Sequence, residues 1–492
     1  MTRRLGVRCA GALLLLSGVG IRPAPAAGQG VVGTATSIVR YVGLQPLVLD
    51  SFAVSDAIPG PDGGFVVDGR PVSCVPGVIC TAYGLGPGSH AALASQDVRL
   101  TAWGLGLPGL SATAFMRGRQ QLDGGYAWPR GDDPFDLLLG YLQWNRPGLR
   151  VRLGRQETLS PLGFASFDGV SLLLAPGGRW RVEAFGGRSL ARGLRSPRNE
   201  ALQGLDDFVP LNEAWLFGGL ATLAHRSGAS LTLRYQREVW SDGSTLLNER
   251  ASAEVRAPLG ERLDLSAQGD WDLGLDRAGK ASASLHGRVT GWMDAEVRVR
   301  RYVPYFDLST VWGFFEPVGF TEITARGEAR AGGNWSLWAA AGRRGYEDTR
   351  TVRVLGPVGD DAWTVDAGSR WRPDERWSLQ AGYRLEWGAG AYLQSGDVSV
   401  AYTPSRRAEV TLHGSLYQQL EEFRLGDRRL GGGGVSTAFL VGERVRLRGG
   451  WVHHAVLGAT RPDDLIGPQT RAWTALEVRL GQDPGLSTRR AR

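Results

Sequence analysis

A chain of 492 residues with 71 Gly, 17 Trp, 12 Tyr and 15 Phe, but only 3 Cys and 3 Met, is not composed like a helix-rich enzyme. Glycine at this share is costly inside helices, whereas Gly, Trp and Tyr together suit strands closed by tight turns. Past the N-terminal residues no run reaches the roughly 18 apolar residues of a membrane helix, which excludes a helical membrane protein but not a barrel that hides apolar residues at every second position.

In chain order the N-terminus comes first. Met1 to Arg8 carries arginines, Cys9 to Gly20 is apolar, and Ala24-Pro25-Ala26 precedes Ala27, the pattern of a cleaved secretory signal. Residues 1–26 are therefore expected to be a signal peptide, 27–481 a single barrel, and 482–492 a short basic periplasmic tail. Cleavage takes away Arg3, Arg4, Arg8 and Arg22 and lowers the formal charge from +7 to +3, so the basic balance implies no nucleic-acid partner. The first strand is expected so soon after residue 26 that no large plug precedes it.

Cys74 and Cys80 are the cysteines left in the exported chain, close together in a Gly- and Pro-rich stretch. In an oxidising compartment a local disulfide is the expectation. No Cys-x-x-Cys-His run is present, and His453 and His454, adjacent on a strand, would point to opposite faces. Neither a metal nor a cofactor is expected.

Alternation marks the strands. In Arg376 to Trp387 one face carries Trp, Leu, Ala, Tyr, Leu, Trp and the other Arg, Ser, Gln, Gly, Arg, Glu, so one face suits lipid and the other water. Trp377 and Trp387, or Trp363 and Trp371, stand near the two ends of a strand on the apolar face, as interfacial girdles do. Counting such runs from 36–47 and 97–107 to 444–454 and 471–481 gives about 22 strands, within roughly 18 to 24. The fold class is all-β, a single transmembrane antiparallel β-barrel. Even-to-odd connections are short (Pro147-Gly148, Ser227-Gly228, Gly442-Glu443), whereas odd-to-even ones are mostly long (48–96, 189–212, 304–320, 347–360). Short turns at the periplasmic end and long loops outside are the habit of outer-membrane barrels. The stretch Pro304 to Phe320 holds Tyr305, Phe306, Trp312, Phe314 and Phe315, more aromatic surface than a free loop exposes, and is expected to fold inward or meet a partner.

At Val151 to Val170 a motif appears: Leu153-Gly154-Arg155-Gln156, then Gly163, then Phe167-Asp168-Gly169-Val170, with an apolar spacer of Leu159, Pro161, Leu162 and Phe164 between the halves. This hairpin resembles that of Gram-negative porin-like outer-membrane barrels, including alginate-export-like porins. The resemblance implies a channel whose lumen arginines and acids bind a charged solute, a role carried over to Arg152, Arg155, Gln156 and Asp168. Read from the residues alone, Gly154 permits a bulge and Arg155 pairs with Asp168 across the hairpin.

Alternation turns Arg150, Arg152, Arg234, Arg256, Arg298, Arg300, Arg384, Arg446, Arg448 and Arg479 inward, with Glu254, Glu296, Glu386 and Glu477 as inward acids. Charges at membrane depth must face water or each other. No Gly-x-Ser-x-Gly, His-Glu-x-x-His or phosphate loop is present, so no enzyme is expected. Two functions fit an exported barrel in the outer membrane of a Gram-negative bacterium, embedded in lipid and lipopolysaccharide. One is a porin-like channel for small hydrophilic, anionic solutes. The other is a structural barrel that houses or anchors a periplasmic or surface protein, such as an electron carrier.

Overall fold

The structure, a computed structural model, describes residues 30–481 except 61–62, 76, 125–133, 191–213, 244, 304–318, 348–360, 389–390, 419–428 and 458–466. The expected signal peptide, the C-terminal tail and the aromatic stretch that begins at Pro304 lie outside the described residues.

A sheet of 22 antiparallel strands runs in chain order from Gly30–Leu44 to Gln469–Gly481, and the last strand pairs with the first from Val32↔Gly481 to Gly43↔Thr470. The ring is closed and has no free edge strand of its own, which removes the pairing hazard of an open sheet. Each expected strand has its counterpart. The largest shifts fall at the start, where the expected 36–47 and 97–107 are Gly30–Leu44 and Ser89–Trp103.

Loop lengths segregate as expected, with turns such as 147–148 and 406–407 at one end and connections such as 45–88, 303–319 and 347–360 at the other. A few connections at the long-loop end are short as well, among them 161–162 and 273–276. The first long connection is a folded unit rather than an open loop. Strands Leu47–Phe52, Ile58–Pro59, Phe65–Val67, Arg70–Val75 and Ile79–Leu85 form a separate 5-stranded sheet. Cys74 and Cys80 face each other across its hairpin and are joined by a disulfide.

Directly opposed residues of an antiparallel pair share a face, so the register carries the two faces around the ring. One face bears Trp335 stacked on Trp371 at the short-turn end and Trp363 opposite Trp387 at the other. Its large apolar side chains are exposed, among them Trp180, Leu233, Val299, Val398 and Trp451. The other face carries the charges, and its side chains shield one another, as only the concave side of a closed sheet allows. The ten residue steps from Trp377 to Trp387, at about 3.3 Å each and a tilt near 40°, span about 25 Å, the height of a lipid-facing band.

Candidate functional site

All the arginines and glutamates expected to point inward lie on the concave face. Arg150 pairs with Glu183 (3.6 Å), and Arg152 donates to Gln143 (2.6 Å) with its guanidinium 5.1 Å from the Tyr141 ring. Arg234 and Arg256 both bind Glu254 (3.1 and 2.8 Å), Arg298 binds Glu296 (2.6 Å), and Arg448 binds Glu477 (3.4 Å). The longest connected run crosses adjacent strands from Met293–Tyr302 to Trp377–Gly388. Arg300 pairs with Glu322, Arg344 bridges Glu322 (3.2 Å) and Glu386, and Arg384 lies 3.6 Å from Glu386. Arg344 reaches over an intervening strand because the residue beneath it is Ala362, fully buried, and its guanidinium stacks 4.5 Å from the Phe320 ring.

Inward acids are more numerous than alternation on the cleanest strands suggested. Asp97 holds Arg117 through two 2.7 Å hydrogen bonds, Asp136 binds Arg119 (2.9 Å), and Asp270 binds Arg250 (2.9 Å). A basic excess survives mainly where the barrel closes. Arg479, Thr34 and Arg99 stand in one row across the last, first and second strands, and Arg446 and Arg471 lie on the same side of the ring. Among the described residues Arg99, Arg446, Arg471 and Arg479 have no carboxylate partner.

The motif hairpin does not continue the wall. Strand Leu149–Ser160 pairs with Phe135–Arg146 only as far as Arg155↔Gly140, and strand Gly163–Leu174 pairs with Trp180–Ser189 only as far as Phe167↔Ser189. Between those points, among the described residues, the two strands pair only with each other, and the tip turns into the barrel. Arg250, on the inner wall with three strands intervening, donates a 2.6 Å hydrogen bond to the carbonyl oxygen of Leu162. One face of the hairpin is buried against the wall: Ala165, Phe167 and Leu216 form a core, with Phe185 stacked 5.3 Å from Phe167. Gln156, also buried, donates to the Gly169 carbonyl (3.0 Å) and accepts from Ser171 (2.7 Å). The opposite face leaves Leu159 82% and Phe164 57% exposed. Gly154 makes the departure possible. Its φ is +124°, and a Cβ there would lie 2.2 Å from the Gly140 carbonyl oxygen. The pairing stays in register through Gly154, so this glycine is a kink and not the expected bulge.

Arg155 and Asp168 are paired as expected, through 2.8 and 2.9 Å hydrogen bonds, but on the outer face, not in the lumen. The charged-solute role carried over to this pair is therefore corrected: register parity turns odd residues of Leu149–Ser160 outward with Leu153, and only Arg152 and Gln156 inward. Arg237 with Glu249, Arg301 with Glu347, and Arg343 with Asp361 are further outward pairs at the long-loop end. Glu347, just past its strand, is held below the usual carboxylate range by its hydrogen bond from Arg301. The sequence signal for the inward hairpin was its apolar spacer flanked by Gly154 and Gly163, a composition that a turn in water has no use for. Among the described residues no group of His, Cys, Asp and Glu is arranged to hold a metal ion.

No family model and no curated protein matches the chain. Solved structures do. The siderophore receptor PirA of Acinetobacter baumannii aligns with TM-score 0.51 at 8% identity, and that of Pseudomonas aeruginosa with TM-score 0.50 at 11% identity, each over 91% of this chain and 80% of theirs. A BenF-like porin from Pseudomonas fluorescens Pf-5 aligns over 92% of this chain and 99% of its own, with TM-score 0.41 at 9% identity. At such identities the likeness to the two receptors is one of fold alone, a closed antiparallel barrel.

Proposed function

We propose that this protein is an outer-membrane channel for passive diffusion of small hydrophilic solutes with a preference for anions, exported through a cleaved signal peptide. The observation that carries the reading is the concave face: a charged, water-suited wall inside a closed ring of 22 strands whose other face is apolar and girdled by tryptophan. Arg99, Arg446, Arg471 and Arg479 supply the anion preference, because an arginine already neutralised by a neighbouring carboxylate contributes little field to the lumen. The inward hairpin narrows the passage. The likeness of that hairpin to alginate-export-like porins supports the same class. Purified protein in planar bilayers should conduct, with a reversal potential in a salt gradient of the sign given by anions, and the protein should fractionate with outer membranes.

A second reading draws on the separate sheet at the long-loop end. Its Leu47, Leu49, Ile58, Val75 and Tyr83 lie on one face and are all exposed, as a surface that meets another protein would be. A correctly folded protein that carries no current at all would replace the channel with this barrel that anchors a partner.

A further inference from the structure

Three ring side chains on the concave face lie along the wall, each in room left by a glycine on the neighbouring strand. Trp473 stands opposite Gly450, where a Cβ would meet the indole Nε1 at 2.6 Å and Cε2 at 2.9 Å. His454 stands opposite Gly432, where a Cβ would lie 2.6 Å from its Nε2, and His413 opposite Gly434, where a Cβ would lie 2.5 Å from its Nε2. Glycine weakens a strand interior and marks a close approach there, and these glycines admit rings that would otherwise have to stand out into the lumen. The indole, laid across the adjacent strand, is a platform on the wall.

The platform sits beside unneutralised charge. Arg40 is directly opposite Trp473 on the first strand, and Arg471 is two residues along on the last strand, so their side chains start about 5 and about 7 Å from that of the tryptophan. Neither arginine has a carboxylate partner among the described residues: Arg40 donates to the Ser95 hydroxyl (3.2 Å), Asp97 is taken by Arg117 through two 2.7 Å hydrogen bonds, and Glu477 is held by Arg448 (3.4 Å). Arg471 is flanked by Val452 and Val42. Along the ring this patch is ten strand steps from Arg250 one way and twelve the other, so it lines the lumen across from the point where the hairpin tip is fastened.

We propose that this patch is a binding site in the lumen for single-ring aromatic carboxylates. The ring stacks on the Trp473 indole, and the carboxylate accepts hydrogen bonds from Arg40 and Arg471. The neighbours favour a bare ring over a polyol, because Val42, Val452 and Gly450 offer no side-chain partner to a hydroxyl, and a hydroxyl left without one is penalised. The proposal rests on the water-filled lumen of the channel reading and names the solute class within it. Binding is measured without current, so a protein that binds but does not conduct fails the channel reading alone, and one that conducts without this binding fails the site alone.

The test uses the full mature chain in neutral detergent micelles, with variants confirmed as folded by the heat-dependent shift of a barrel on a gel. The fluorine resonance of 4-fluorobenzoate is titrated with protein and with empty micelles, and only the protein should give a saturable shift. Arg471→Gln should weaken the apparent affinity by about ten-fold, the loss of one charge-assisted hydrogen bond, and Trp473→Leu by about five-fold, the loss of the stacked pair. Gly450→Ala should weaken it as well, since the new methyl displaces the indole while every group that touches the probe remains. Arg326→Gln, which removes an inward arginine near Glu328 (3.9 Å) elsewhere on the wall, should change it by less than about two-fold. Benzoate should displace the probe, and cyclohexanecarboxylate, of equal charge but not flat, should do so about five-fold less well. No saturable shift, or equal losses from Arg471→Gln and Arg326→Gln, overturns the site. Equal competition by the two acids overturns the assigned aromatic ring.

Discussion

Arg250 and Leu162 are 88 residues apart in sequence, yet the guanidinium of one and the carbonyl oxygen of the other meet at 2.6 Å on the inner wall. The contact fastens a hairpin that belongs to the ring by sequence to a strand elsewhere on its circumference. Arg250→Ala should cost the closed hairpin about 2 kcal/mol, the worth of a hydrogen bond from a charged donor. Single-channel recordings should show larger and noisier openings. Recordings identical to those of the parent would mean that the Phe167–Leu216 core alone holds the hairpin.

The Arg300–Glu322–Arg344–Glu386 run shares its partners and should behave cooperatively. Glu386→Gln leaves Arg344 with one carboxylate in a nearly enclosed position and should lower stability by about 2 kcal/mol, discounted from the cost of breaking a fully buried pair because the lumen is wet. Arg344→Met in the same background should restore part of the loss, since it removes the stranded charge. A double-mutant cycle in urea, read by tryptophan fluorescence, measures this; strictly additive losses would show that the two residues do not interact.

Face assignment gives a sharper contrast. Val398 points outward and Ser399 inward on one strand. Val398→Arg should destabilise the folded barrel in bilayers by about 2–4 kcal/mol, whereas Ser399→Arg should change stability by well under about 1 kcal/mol. Equal effects would mean that the register or the membrane placement is wrong.

Selectivity should track the partnerless arginines. Arg446→Glu/Arg479→Glu should move the reversal potential toward cations by more than Arg298→Glu/Arg300→Glu, whose arginines are already tied to Glu296 and Glu322. The difference should shrink near 1 M salt, where the screening length falls to about 3 Å. A larger shift from the 298/300 variant would contradict a field set by unpaired charge.

The disulfide should contribute locally. On the chain-entropy model a loop as short as that between Cys74 and Cys80 adds about 2 kcal/mol to the small sheet. Reduction of purified protein should raise the intact mass by two hydrogens per chain and increase protease cutting within 45–88 while leaving the barrel's heat-dependent gel shift unchanged. Loss of the barrel itself on reduction would show that the two sheets fold as one unit.

The amino-acid sequence by itself determined strand number, loop segregation and which face of each strand is wet. These are local properties: the alternation in Arg376 to Trp387 and the Pro-Gly turn at 147–148 are complete within a dozen residues, because the pleat has a period of two and a tight turn needs few neighbours. Tertiary structure decided what the charges do. Whether Arg300 is neutralised depends on Glu322 being its register partner, and whether Arg344 reaches Glu386 depends on a small residue at 362 in the strand between them. The motif shows the limit most plainly. Its residues announced a hairpin and the Arg155–Asp168 pair. Tertiary contacts, the Leu162 carbonyl on Arg250 and Phe167 against Leu216, turned the tip inward, and only counting register from Trp377 and Leu153 around the ring put that pair on the lipid side, since a single residue of slip would have exchanged the faces.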